Sequence, residues 1–390
     1  MPQLGLGSSL TRGGVLSGFE NKYSLDFDGG DDHLLIAATN DLSFGDGSID
    51  SAFTVAAWVY MDDATAFRIV SKDGGVVGSK REYEFMTETD HDNLYMFLRD
   101  ETAGAWAYVR TDSTITSYEG SWVHLATTYD GGGGENAADG IKIYINGDPA
   151  ILDTPVTNEG YIAMENNGGD FYIGRKVQYY ANGKFDEVAV WDAELDADAV
   201  TAIYNSGTPI ALDADSGNYD NSGNLVGWWR MGDGTLDDGN IAGNGLIADQ
   251  VNPTLGSDLV TNGGFDADSD WTTGSGWTIG SDVATCDGTS GNLQSTSDTV
   301  VSGKLYKMQF EITAYTSGSV KIWSGSGSDL TSYRNTEGIH TDYFKTNSTS
   351  IALYSLSFVG SVDNISVQIV NGNSGIMTSM AATFSTDVPA

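Results

Sequence analysis

The segment Asp28-Gly29-Gly30-Asp31-Asp32 puts three carboxylates into one glycine turn. Hard divalent cations take six to eight oxygens at ~2.3–2.6 Å, supplied by carboxylates and turn carbonyls. Asp28, Asp31 and Asp32 are therefore candidate calcium ligands, although Asp and Gly also build turns with no cation present. In the last third of the chain, Trp271, Trp277, Tyr315, Trp323 and Tyr343 are candidate carbohydrate-binding rings. A sugar has an apolar C–H face that stacks on an aromatic ring, and its hydroxyls need Asp, Asn or backbone partners. A tryptophan in a β-sandwich also serves as core, and Trp58, Trp122 and Trp191, on apolar strands, are assigned to it. Glu82, Glu84 and Glu88 fall on one face of an alternating strand, opposite Tyr83 and Phe85. A glycosidase needs a carboxylic acid and a carboxylate about 5–9.5 Å apart across a sugar site. The expected reading of the three glutamates is an acidic solvent face.

Other chemistry finds no support. His124 lies in a patterned strand and reads as a core hydrogen-bonding residue, while His33, His91 and His340 sit in unrelated segments. No His/Cys spacing suggests zinc. No nucleophile elbow, phosphate loop or dinucleotide fingerprint occurs. Cys286 is the single cysteine, so no intrachain disulfide can form, and no basic neighbour activates it.

Short strands must hold these residues. From Tyr23 onward, apolar segments alternate with turn signals, as sandwiches require. Residues 24–27, 53–60, 121–129 and 141–145 read as strands, as do the period-two residues Tyr83, Phe85, Leu94, Met96 and Leu98. Asn146-Gly147 suits the two positive φ angles of a type I′ hairpin. Residues 171–174 and 187–191 complete the first set. Asp196 can cap one helix, Ala197 to Asn205 can form it and Gly207 can end it, with Val200, Ile203 and Tyr204 facing the sandwich. Residues 209–257 are loop-rich around one strand, 225–231. A second series follows from Asp258, with strands at 277–279, 305–312, 319–323, 350–358 and 364–370. The expected domains are an N-terminal anchoring arm at 1–20, a first sandwich at 21–257 and a second at 258–370, with a tail at 371–390.

Composition narrows the function classes. The 390 residues hold 18 Lys and Arg against 54 Asp and Glu, for a net charge of −36. That balance excludes nucleic-acid binding, which needs clustered cations, and opposes docking on anionic lipid. With 50 glycines, 6 prolines and 11% aromatic residues, the chain reads as all-β and turn-rich rather than disordered. No apolar run approaches the ~18 residues of a membrane span, and the N-terminus lacks a signal-peptide apolar core. The expectation is a soluble protein made in a cytoplasm, with no membrane insertion.

Several motifs carry a family likeness. The run 24–32 resembles the opening of laminin G-like, concanavalin A-like jelly rolls. So does the strand with Trp122, His124, Ala126, Tyr129, Asp130 and Gly131, the hairpin Tyr144 to Gly147, and the strand with Gly183, Phe185, Asp186, Glu187, Val188, Val190 and Trp191. Residues 225–234, LVGWWRMGDG, resemble a strand that usually opens such modules, yet here they follow the rest. Residues 371–378 resemble the strand that normally comes next. The resemblance implies a circularly permuted first jelly roll whose final hairpin is split by the second domain, with the tail, 371–390, returning to it. Residues 258–370 resemble a galactose-binding-like jelly roll of the carbohydrate-binding-module type, on Leu259 to Phe265 at its start and Val362 to Val367 at its end.

The resemblance implies further ligands. Asp186 would lie near the rim of Asp28, Asp31 and Asp32. In the second module, Asp266 and Asp363 stand where such modules hold a structural calcium between first and last strands. Some enzymes of the concanavalin A-like fold carry a Glu-x-Asp-x-x-Glu strand; here the central Asp is missing and the last spacing differs. The pairing of modules is similar to that in tailed-phage structural proteins. It implies a non-enzymatic virion surface protein: a capsid decoration, head fibre or tail-associated adhesin. Its partners would be other virion proteins, further copies of itself as an oligomer or array, and host-surface glycans. The competing readings are a glycoside hydrolase of the same fold and a cellular bacterial adhesin.

Overall fold

Strand Phe53–Met61 is apolar along nearly its whole length because both of its faces are covered. In the computed structural model, which describes residues 19–75, 80–237, 245–251, 253–296, 300–324, 330–346, 348–379 and 384–389, this strand is central in one of two stacked sheets. Val55, Ala57 and Val59 enter the inter-sheet core, and Ala56 packs into a second apolar layer on the outside. Most of the expected arm, 1–20, lies outside the described residues; Phe19 stacks on Trp228, with ring centres 6.4 Å apart.

The first sheet runs Asp148–Pro149, Ile141–Ile145, Trp122–Tyr129, Phe53–Met61, Asn182–Trp191, Ser24–Asp28 and Phe384–Ser385. Leu225–Trp229 joins the same edge of Asn182–Trp191 further along. The second sheet has nine strands: Val156–Thr157, Ala105–Arg110, Leu94–Asp100, Tyr83–Thr87, Arg68–Asp73, Asp170–Ile173, His33–Ile36, Gly375–Thr378 and Leu246–Ile247. Phe27, Phe53, Phe67, Tyr83, Phe171, Phe185 and Trp229 fill the space between the sheets. Helix Ala197–Tyr204 covers the outside of the first sheet. Asp196 caps it by accepting the Ala199 N–H at 2.8 Å, and Asn205 ends it in the left-handed region. Val200 and Ile203 pack there with Trp191, Tyr219 and Trp228.

The last hairpin of this sandwich is split. Leu246–Ile247 pairs with Gly375–Thr378, and the whole second unit intervenes between them. Gly375 is required by close approach, since a Cβ there would stand 2.4 Å from Leu34 Cγ.

The second unit is built on a ribbon of two twenty-residue strands, Leu305–Ser324 and Ile351–Val370. Sequence punctuation suggests separate strands at 305–312 and 319–323. The structure joins them, because register shifts between Gln309 and Ser319 bend the strand without ending its ladder. Gly338–Lys345 adds to one edge, while Gly291–Ser295, Val283–Asp287 and Leu255–Asp258 add in turn to the other. The folded sheet encloses Trp277, Leu293, Phe310, Ile312, Ile322, Phe344, Leu353 and Phe358. Leu246, Ala248, Leu305, Tyr343, Val370 and Ile376 form an apolar seam between the units, and Lys345 Nζ reaches Asp170 Oδ1 at 2.5 Å beside it.

Candidate functional site

Strand Ser24–Asp28 reverses through Gly29, at φ +73°, toward His33–Ile36 in the opposite sheet. In that reversal Asp28 Oδ1 accepts the Gly30 N–H at 2.7 Å, and Asp32 Oδ2 accepts the Asp28 N–H at 3.2 Å. One carboxylate oxygen from each of Asp28, Asp31 and Asp32 lies within 4.8 Å of the others. Asp28 and Asp31 are exposed, but Asp32 is 2% exposed and its Oδ1 has no partner. Burial pushes the Asp32 carboxyl up to about 6. A buried acceptor without a donor is costly unless a proton or cation meets it. The trio therefore fits a hard cation.

Asp186 does not join them. Asp28 pairs with Asn182, and Asp186 lies four residues further along that strand, ~13 Å away at the rise of a strand. It sits instead in a notch between Ser24–Asp28 and Leu225–Trp229. There the register on Phe53–Met61 shifts and Glu187 takes φ +46°. Asn21 Nδ2 donates to Asp186 Oδ2 at 2.8 Å, which leaves Asp186 Oδ1 and Asn21 Oδ1 both buried and without partners. Burial holds Asp186 well above the usual carboxylate range. Glu187 accepts from Trp228 Nε1 at 2.6 Å and Arg230 Nε at 3.0 Å, and burial still lifts it to about 7.

The expected calcium pair of the second unit is not assembled into a cage. Asp266 is exposed, and Asp363 accepts the N–H of its neighbour Asn364 at 2.7 Å. Among the described residues no third acidic or histidine ligand gathers with them.

The aromatic candidates separate by burial. Trp271 and Trp277 are core, 8% and 4% exposed, and their indole N–H groups donate to the carbonyls of Asn262 and Gly291. Tyr343 is 5% exposed and lies in the seam between the units. Tyr315 packs on Phe358 and donates its hydroxyl to the Gly318 carbonyl. Trp271, Trp277 and Tyr343 are therefore unavailable as open stacking surfaces, while Tyr315 is half-buried with its ring laid on the core.

Trp323 is different. Val320 and Ile322 enter the core, so Lys321 and Trp323 project from the opposite face. In register, Lys321 pairs with Tyr354, and Tyr354 with Asn292 on the next strand. Trp323 and Tyr354 are half-buried, with ring centres 5.8 Å apart. The Lys321 ammonium lies 4.3 Å from the ring of Tyr333, which is 40% exposed, and 5.7 Å from that of Tyr354. Asn292 Oδ1, beside Tyr354, has no hydrogen-bond partner. The result is a platform of part-exposed rings over a buried ammonium, which can stack a sugar face; Asn292 Oδ1 lies buried beneath it. Sequence reasoning passed over Lys321, Tyr333, Tyr354 and Asn292. The signal was the alternation Val320, Ile322 against Lys321, Trp323.

The glutamate strand is not an acidic solvent face. Glu82 is 1% exposed and accepts from Ser43 Oγ and the Phe44 N–H, each at 2.6 Å. Burial lifts it to about 7. Glu84 is fully buried and paired with Arg99 and Lys176, each at 2.8 Å. His124 is buried as expected, but its Nδ1 finds no hydrogen bond.

Residues 28–201 match the family described as the concanavalin A-like lectin/glucanases superfamily, in its laminin G-like branch. The first unit has that fold. Among solved structures, the chain is similar to the heptameric SAP-like pentraxin of Limulus polyphemus, at 18% identity over 47% of this chain and 82% of that one, with a TM-score of 0.33. It is also similar to the IT-sialidase CBM40 of Ruminococcus gnavus bound to α2,3-sialyllactose, at 12% identity over 48% and 99%, TM-score 0.35. A third likeness is to the Trypanosoma rangeli sialidase in complex with sialic acid, at 13% identity over 46% and 27%, TM-score 0.31. No curated protein matches the chain.

Proposed function

We propose that the chain is a non-enzymatic glycan-binding protein whose sugar site is the outer face of the second unit around Trp323 and Tyr354. The observation that carries this reading is the pair of half-buried rings, Trp323 and Tyr354, with the exposed ring of Tyr333 close to the same lysine. A stacked ring is worth about 0.5–1.5 kcal/mol beyond its area, so losing one costs up to about tenfold in affinity. A glycan array with the full chain, followed by titration of the best ligand into Trp323→Ala, tests it. Binding should fall by about tenfold; an unchanged affinity, or an array with no binding, would sink the assignment.

The state of the strand glutamates supports the non-enzymatic reading. Glu84 lies between Arg99 and Lys176, which keep it anionic, so it cannot donate a proton. Glu82 faces Ser43 and Phe44 rather than a cleft. Calcium is the proposed structural cation, held by Asp28, Asp31 and Asp32, where it would bridge the end of Ser24–Asp28 to the start of His33–Ile36. The finer reading is display on a phage particle, as a capsid decoration, head fibre or tail-associated adhesin among other virion proteins and copies of itself. Its support is the pairing of two β-sandwich modules within an acidic chain. Gold-labelled antibody on purified particles is expected to decorate them; label restricted to a bacterial envelope would favour a cellular adhesin.

A further inference from the structure

Residues 19–23 run over the notch beside Asp186 as a strap. The Phe19 ring stacks on Trp228, and the Arg230 guanidinium lies 4.2 Å from its centre. The Glu20 carbonyl accepts from Arg230 Nη2 at 2.6 Å. The N–H groups of Lys22 and Tyr23 both donate to Asp233 Oδ2, at 2.6 and 2.9 Å. Between them Asn21 reaches the sheet, where its Nδ2 donates to Asp186 Oδ2 at 2.8 Å.

That contact is half of a pairing. Asp186 is fully buried, yet its Oδ1 has no partner, and neither has the buried Oδ1 of Asn21. Turning the Asn21 amide over would set its oxygen against Asp186 Oδ2, acceptor against acceptor. The donors around the notch are engaged elsewhere: Trp228 Nε1 and Arg230 Nε on Glu187, and Arg230 Nη1 on the Asp233 carbonyl. Two bare buried acceptors cost free energy that a single added donor relieves. A protonated carboxyl supplies that donor, since it carries one O–H beside its remaining acceptor capacity. An acid and an amide are complementary planar forks, with N–H on one oxygen and O–H on the other.

The surrounding charges favour the proton. Glu187 follows Asp186 on the same strand, Asp233 faces it from the loop after Leu225–Trp229, and Asp387 lies against Ser24 on the neighbouring edge. Glu20 and Lys22 on the strap pair with each other, and Arg230 pairs with Glu187. Phe53–Met61 sets Trp58 opposite Asp186, and the strand beyond adds His124, which burial keeps neutral at neutral pH. Burial first, and the Glu187 carboxylate second, hold the Asp186 carboxyl well above the usual range.

We propose that Asp186 and Asn21 form a proton-bridged acid–amide lock that fastens the strap to the first unit. Losing the proton leaves a carboxylate facing the Asn21 oxygen, so the lock weakens as pH rises. Opening frees Phe19 from Trp228 and uncovers the pair of Arg230 and Glu187. An opened, hydrated site returns Asp186 toward the ordinary carboxyl value of about 3.9. Between that value and the raised one of the closed lock, each pH unit multiplies the open population by about tenfold; above it the gain levels off. The lock is apart from the turn of Asp28, Asp31 and Asp32 and from the Trp323 platform, and it rests on neither reading.

Infrared spectroscopy and limited proteolysis of the full chain test the lock together. At neutral pH the wild type should show more carboxylic-acid C=O absorption than Asp186→Asn, by one group; equal absorption would overturn the proposal. Trypsin reads the strap through cleavage after Lys22. The amide of Asp186→Asn offers Asn21 the same donor at every pH, so that variant should stay locked. The ratio of wild-type to Asp186→Asn cleavage cancels the protease's own pH dependence. It should rise by about tenfold or more from about pH 5 to about pH 9. Asn21→Leu should be cut at one high rate throughout. A flat ratio, or an Asn21→Leu chain as resistant as the wild type, would overturn the lock. Loss of the acid absorption on adding calcium chloride at constant pH would make the notch a cation site and overturn it equally.

Discussion

His124 shows how strongly single residues couple this fold to acidity. Its ring is 3% exposed, packed 5.1 Å from Trp58 and 6.0 Å from Tyr204, and burial pushes it down to about 3. In the unfolded chain a histidine takes its proton near pH 6.5. Between about pH 6.5 and 3, then, the unfolded state holds one more proton at this position than the native state, and stability falls as pH drops through that window. Each pH unit costs about 1.4 kcal/mol. Burial, the first cause, likewise lowers His33 to about 4. Raised carboxyls act in the opposite sense: Glu82 at about 7 and Asp237 at about 6 bind protons more readily folded than unfolded. The informative quantity is the difference between wild type and His124→Phe, in which those groups cancel. Lowering pH from 6.5 to 5 should cost the wild type about 2 kcal/mol more than the variant, followed by thermal unfolding. Parallel pH profiles would show that His124 is protonated in the fold. The burial of His124 was legible from its place between Val123 and Leu125. The bare Nδ1 was not, because partners on a sheet's outer face depend on the helix that covers it.

At the scale of elements, strand Gly375–Thr378 is the piece on which the first unit depends from the greatest distance in sequence. It fills the gap between His33–Ile36 and Leu246–Ile247. The turn before it is fastened too: Trp229 Nε1 donates to the Asn373 carbonyl at 2.8 Å, and the Asn373 N–H donates to Asp249 Oδ2 at 2.9 Å. A chain ending at residue 370 would lose a ladder on His33–Ile36 and uncover Leu34, Ile36 and Trp229. It should lose roughly 10 °C or more of its thermal midpoint, since a few kcal/mol shift a domain of this size by several degrees each. Gly375→Ala should act more weakly, at about 1–3 kcal/mol, through the clash with Leu34. A truncated chain that melts with the wild type would show the strand to be dispensable. The return of the tail to the first unit was readable because 371–378 carries patterned residues of its own; its hairpin partner was not, since 225–234 joins the other sheet beside Asn182–Trp191 and the tail pairs with Leu246–Ile247 instead. The continuous ribbon of the second unit was not, because residues 313–318, Thr-Ala-Tyr-Thr-Ser-Gly, look like a turn and behave as bulges. The same limit misdirected the aromatic assignments. A one-residue slip exchanges the faces of a strand, and the sequence around Trp271 and Trp277 does not settle which face is wet.

Across the whole molecule, the charge of −36 sets a background on which any specific cation effect must be measured. Repulsion among like charges opposes the compact state, and every salt relieves it by screening. Sodium chloride should therefore raise the thermal midpoint gradually, without saturation at a particular concentration. A bound calcium adds something different: a stabilisation of RT ln(1 + [Ca]/Kd), about 2.7 kcal/mol at a hundredfold excess over Kd. At matched ionic strength, calcium chloride should raise the midpoint further than sodium chloride, and a chelator should remove the increment. The apolar seam of Leu246, Leu305, Tyr343, Val370 and Ile376 joins the two units, so a cation in the first should shift the melting of both together. The substitutions then separate two locations. Asp32→Asn removes the buried oxygen of the trio and should abolish the calcium increment while leaving the sodium effect intact. Asp186→Asn alters only the notch, where Asp186 Oδ1 and Asn21 Oδ1 lie unpartnered. If the increment survives Asp32→Asn but disappears in Asp186→Asn, the cation sits in the notch rather than in the turn. If both variants keep it, the acidic surface as a whole gathers calcium and no single cage is responsible.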